Sequence, residues 1–154
     1  MPNLIVRQPG EGQHVNLLGT ALTFMATSED TAGQYALCEY VAPAGAGGPA
    51  PHTHAGFDEL WYVLEGELTL QAGHETVVAG PGAFLHVPGA TVHTFANRTQ
   101  APVKFLLMLL PGGFEQYFLS DLPRVVAQHG YPPPPSIMAE LANRYGLEME
   151  PHPA

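Results

Sequence analysis

From residue 15 onward the chain reads as short apolar runs cut by glycine, proline and acidic turns. Runs at 21–26 and 34–41 flank Ser28-Glu29-Asp30-Thr31-Ala32-Gly33, a hairpin-loop composition. Residues 42–51 are almost all Ala, Gly and Pro and predict a loop. Residues 59–70 read as a strand pair broken at Glu65-Gly66-Glu67. In it, positions 59, 61 and 63 share one face and 60, 62 and 64 the other. Both faces are mainly apolar, which predicts a strand covered on two sides. Further strands are expected at 75–79, 83–87, 91–97 and 103–110, with turns at Gln71-Ala72-Gly73-His74 and Gly80-Pro81-Gly82. After Pro111-Gly112-Gly113 the period changes, because Phe114, Tyr117, Phe118 and Leu122 fall at helical spacing. Pro123 can open a short helix that stops at Gly130. Pro132 to Pro135 form a stiff linker, Ser136 can cap a last helix with Ile137, Leu141 and Tyr145 on one stripe, and Gly146 ends it. The pattern predicts an all-β barrel or sandwich over residues 1–120, followed by a helical tail over 121–154 with a Pro-rich linker at 132–135.

Composition narrows this picture. With 154 residues the chain is long enough for one domain with a real core. Seventeen glycines and 16 prolines, spread without a period, fit many tight turns. The net charge of −9, with Lys104 and four scattered arginines as the basic residues, argues against nucleic acid or an anionic membrane as partner. Cys38 is the single cysteine and lies in an apolar run, so it reads as a packing residue in a reducing compartment. The N-terminus carries no signal-peptide-like apolar region, and the longest apolar run, 103–110, is too short to span a bilayer. The expected location is cytoplasmic.

Eight histidines are many for this length, and three of them form a pattern. His52 and His54 are two apart and share one side of a strand. Glu59 lies an odd number of residues from both, and joins them only if Ala55-Gly56-Phe57-Asp58 turns. His93 must arrive from another strand, just past the Pro88-Gly89 turn. Three imidazoles and a carboxylate suit one divalent transition metal ion: Fe, Mn, Co, Ni, Cu or Zn. Asp58 is the alternative carboxylate. His74, His129, His14 and His152 read as exposed or peripheral, and Asn97 as a turn hydrogen-bonder.

Two patterns carry a family resemblance. His52-x-His54-x4-Glu59-x6-Gly66 and Gly82-x5-Pro88-x4-His93-x3-Asn97 resemble the two motifs of the cupin superfamily, with the motif core at 45–97. The resemblance implies a double-stranded β-helix, a jelly-roll barrel, whose metal is held by His52, His54, Glu59 and His93. Two glycines of the family pattern are displaced, with Ala90 two residues after Pro88 and Ala46 six residues before His52. Both changes touch turns, not ligands. The stretches 57–68 and 111–115 are similar to the single-barrel cupins grouped with quercetin 2,3-dioxygenase.

That likeness implies a dioxygenase-type oxidoreductase acting on a flat phenolic or enol-type small molecule, with Glu59 as catalytic base. Trp61, Val63, Phe84, His86 and Phe95 are candidates for its pocket. A non-catalytic metal or small-ligand binder is the alternative. A metal-dependent isomerase or decarboxylase is disfavoured, because the motif strands carry no Arg or Lys to hold an anionic group. The resemblance also implies a homodimer paired through sheet edges and exchanged N-terminal strands.

Overall fold

The long apolar run forms the middle of the molecule. In the computed structural model, which describes residues 4–150, Val103–Leu110 is a strand whose odd positions point inward and are buried. It is β10 of eleven strands among the described residues. The others are β1 (Gln13–Leu17), β2 (Thr20–Ala26), β3 (Ala36–Ala42), β4 (His52–His54), β5 (Asp58–Glu65), β6 (Leu68–Ala72), β7 (Glu75–Ala79), β8 (Phe84–Val87), β9 (His93–Ala96) and β11 (Leu147–Met149). All pairings are antiparallel. One sheet runs β1-β2-β3-β10-β5-β8 and the other β11-β4-β9-β6-β7. Between them lies an apolar core that includes Leu22, Phe24, Trp61, Val63, Leu68, Phe95 and Phe105. This is the expected jelly roll.

The turns explain how the chain closes. Gly66, between β5 and β6, has φ +77, and a Cβ there would sit 2.5 Å from the Pro102 carbonyl oxygen. At Gly48, in the loop that leads to His52, a Cβ would fall 1.6 Å from the Phe95 carbonyl oxygen. Only glycine lets that loop lie against β9. Asn97, buried at the end of β9, donates to the carbonyls of Pro43 and Ala101 and accepts from the Thr99 amide. It ties the loop at Pro43 to the turn at Thr99–Ala101, in keeping with its reading as a turn hydrogen-bonder.

Two expectations change. β5 is not covered on both faces, since Tyr62 points outward and is 43% exposed. After β10 a π-helical turn (Tyr117–Asp121) runs straight into α1 (Leu122–His129), which stops at Gly130 with φ +80. The last helix, α2 (Pro135–Arg144), starts with Pro134 at its cap position and Pro135 inside the first turn, not with a Ser136 side-chain cap. Proline's fixed φ already suits that place. Gly146, φ +67, then turns the chain into β11, which the sequence reading did not contain. His152 lies outside the described residues.

Candidate metal centre

β4 is three residues long, and its alternation buries His52 and His54 while Thr53 faces out. The chain turns at Ala55-Gly56-Phe57 and enters β5, where Glu59, Trp61 and Val63 point inward. The odd offset of Glu59 is absorbed by that turn. β9 opens with His93 directly opposite His52. The four side chains are closed from solvent: His52 is 6% exposed, His54 1%, Glu59 4% and His93 1%.

Each imidazole is aimed by a backbone carbonyl. Nδ1 of His52 lies 2.9 Å from the Ala50 oxygen, Nδ1 of His54 3.0 Å from that of Phe57, and Nδ1 of His93 2.8 Å from that of Thr91. A carbonyl only accepts, so each Nδ1 carries a proton; Nε2 of His52 and of His54 is then left with its lone pair, while Nε2 of His93 faces the Glu59 carboxylate, which also only accepts. One nitrogen from each of the three rings falls within 4.8 Å of the other two. Glu59 stands beside two of these rings, with Oε2 3.1 Å from His93 Nε2 and Oε1 3.6 Å from His54 Nε2.

These residues fit a cation. His54 Nε2 is buried with no hydrogen-bond partner among the described residues, an omission that costs about 1–3 kcal/mol when nothing fills it. Burial lowers the pKa of His52 and His54, which keeps both rings neutral and able to donate lone pairs. For His93 burial acts in the same direction, but the hydrogen bond to Glu59, the Thr91 carbonyl and the Glu59 charge outweigh it, and its pKa is raised. A carboxylate beside two of three converged nitrogens is a site for a proton or a metal ion, and three imidazole nitrogens suit a divalent transition ion.

The remaining candidates separate by register. Trp61, Val63 and Phe95 are inside, and the Trp61 and Phe95 rings meet at 6.0 Å. They pack the interior next to the site, and Trp61 stands edge-on to His93 at 6.0 Å. Phe84 and His86 do not belong to the pocket. β8 pairs with β5 so that Phe84 lies opposite Tyr62 and His86 opposite Leu60, and directly opposed residues share a face. That face is the outer one, and Phe84 is 63% exposed there. His86 bonds to Asp58 at 3.0 Å, and Asp58 also accepts the Gly89 amide at 2.8 Å. Asp58 therefore points away from the centre and braces the turn that carries Ala90 and Thr91. A cleft of about 950 Å³ beside residues 4–7 and another of about 460 Å³ outside the second sheet touch none of the four site residues.

Some features escaped the sequence reading. His54 stacks on Phe57 at 3.8 Å and 5°, and Phe57 on Phe114 at 4.9 Å, so aromatic rings cover the site. Buried Glu115 accepts the Ser28 amide at 2.7 Å and the Gly113 amide at 2.6 Å, which clamps the chain that brings Phe114 in. Ala90 sits at φ +64, and its amide donates to the His54 carbonyl at 2.9 Å. The displaced family glycine was the signal for that strained turn.

Comparison with known proteins agrees with this geometry. Residues 39–109 match the cupin domain family. Quercetin 2,3-dioxygenase of Bacillus subtilis (strain 168) is 33% identical over 114 residues, 73% of this chain. The chain spans about a third of that relative, 33% of its length. Among solved structures, KdgF from Halomonas sp. superposes with a TM-score of 0.61 over 75% of this chain and 99% of its own, at 18% identity. A predicted oxalate decarboxylase from Thermotoga maritima gives a TM-score of 0.61 over 70% of this chain and 99% of its own, also at 18% identity. At such identities the likeness carries the fold alone. With two matching motifs, the jelly-roll topology and these relatives, the chain belongs to the cupin superfamily.

Proposed function

We propose that the chain is a metal-dependent oxygenase acting on a flat phenolic or enol-type small molecule. The observation that carries this reading is the convergence of His52, His54 and His93, with Glu59 beside two of them and aromatic barrel residues next to them. The similarity to a quercetin 2,3-dioxygenase supports the reaction class. The four residues would hold one divalent ion among Fe, Mn, Co, Ni, Cu and Zn. Such an ion would supply Lewis acidity to the substrate's oxygen and to an oxygen donor. The chain's own residues do the rest. The carbonyls of Ala50, Phe57 and Thr91 hold the rings, and Trp61, Phe95 and Phe57 keep water out. Glu59 is the carboxylate at the centre and the base for the substrate's phenolic or enolic proton. Lys104 pairs outward with Glu65 at 3.4 Å and Arg98 is exposed, so neither is placed to hold a phosphate or carboxylate at the site.

The closure of the site favours a second reading, a non-catalytic metal-binding cupin. One experiment separates them. The metal-free protein is reconstituted with Fe, Mn, Co or Ni, and oxygen uptake is followed with flavonols and other enols. Uptake that disappears in Glu59→Gln while metal content stays supports the oxygenase. No uptake with any metal that binds supports the binder. We further propose a homodimer paired through sheet edges and exchanged N-terminal strands, a reading that the likeness to single-barrel cupins supports. A monomeric mass in solution contradicts that assignment.

A further inference from the structure

The strand that carries two of the ligands is held by little of the barrel. β4 meets β9 at a single registered pair, His52 with His93. On its other edge β11 covers it along its whole length, with Leu147 opposite His54, Glu148 opposite Thr53 and Met149 opposite His52. The Glu150 amide adds a bond to the Pro51 carbonyl at 2.9 Å. A segment from the far end of the sequence thus completes the ladder on the ligand strand.

A second path links the same segment to the same ligand. Tyr145 packs edge-on against Phe114 at 5.7 Å. Phe114 stacks on Phe57, and Phe57 lies flat on the His54 ring. Tyr145 is itself anchored, because its hydroxyl donates to Asp121 at 2.8 Å, and Asp121 also holds Arg124 and Arg144. Residues 145–147 therefore reach His54 twice, through its backbone and through its ring. β11 is also the kind of element that opens easily: it is three residues long, and two of them are exposed.

We propose that residues 145–149 are a positioning strap of the metal centre. Docked, the strap fixes β4 and the His54 ring; undocked, it frees both. This rests on the metal reading above. Because binding couplings are reciprocal, metal tightens the strap by the factor by which the strap tightens metal.

The test uses the full chain and two probes, Co2+ and Zn2+. Replacing buried Leu147 with aspartate (Leu147→Asp) should raise the dissociation constant of both ions at least tenfold, in line with supports behind metal ligands. It should also shift the Co2+ absorption bands, which a merely structural change would leave in place. Leu147→Met should restore both. Tyr145→Phe keeps the ring and loses the Asp121 bond, so its effect should be a few-fold. In the unaltered protein, Zn2+ should slow hydrogen exchange at the amides of residues 147–150, a readout that does not depend on any variant folding. Affinity of Leu147→Asp within twofold of the unaltered protein, or exchange at 147–150 unchanged by bound Zn2+, overturns the strap. If the unaltered protein takes up neither ion, the metal reading itself fails and the strap falls with it.

Discussion

The two ends of the barrel are built differently. At one end β10 pairs continuously with β3 from Val103 to Leu109 and with β5 from Phe105 to Leu110. The side chains enclosed there are apolar: Val63, Leu68, Val103 and Phe105. At the other end β4 and β9 share one pair and enclose His52, His54 and His93, while Glu59 is supplied by the last pairs of the β10–β5 ladder, opposite Leu109. Long ladders consume backbone carbonyls. Where the ladder is short, the carbonyls of Ala50, Phe57 and Thr91 are left to aim imidazoles. The chemistry sits where the sheet runs out, on a scaffold held rigid by the sheet that does not.

This contrast can be broken by experiment. The largest effect belongs to the packed end. Phe105→Ala should cost about 3–5 kcal/mol in denaturant unfolding, because it empties a fully enclosed aromatic site. At the polar end, His93→Ala should lower metal affinity on the order of a hundredfold or more, while the metal-free protein loses far less stability than Phe105→Ala does. Equal destabilisation by both variants would remove the distinction.

The next effect is on pH. In the metal-free protein His52 and His54 have pKa values lowered by burial, so their contribution is complete above the unfolded value of about 6.5 and is lost as pH falls below it. His93, with a raised pKa, acts the other way: its contribution is present below about 6.5 and is lost as pH rises through its folded value. Without metal the two effects oppose each other between pH 7 and pH 5; with metal bound, unfolding midpoints should fall more steeply over this range because protons compete for the same nitrogens. A metal-bound midpoint that falls no more steeply than the metal-free one contradicts ligation through these nitrogens.

The smallest effect is at the turn between the two ends. Ala90 holds φ +64, strained for any residue with a Cβ. Ala90→Gly should raise stability by about 0.5–1 kcal/mol in thermal or denaturant unfolding and leave metal affinity unchanged. A loss of affinity would mean that the strain itself positions His54.

Much of the site was legible in the sequence, since strand alternation and one turn suffice to bring His52, His54 and Glu59 together. The turn after Pro88 announced its left-handed residue through a displaced glycine. Phe84 and His86 were misplaced because their parity with each other was visible but their register against β5 was not, and a shift of one residue reverses a strand's faces. β11 was invisible for a different reason. Three residues, Leu147–Met149, cannot display a period, and their pairing with β4 is set by contacts far apart in sequence. The aromatic spacing of Phe114 predicted a helix-like turn but not that the ring would land over Phe57 and His54.

The most direct test is a Co2+ titration of the metal-free protein, followed by its absorption bands, beside the same titration of His54→Ala. The structure predicts one tightly bound ion per chain in the unaltered protein and its loss in the variant. No uptake by the unaltered protein, or equal uptake by both, would contradict a metal centre built from His52, His54, Glu59 and His93.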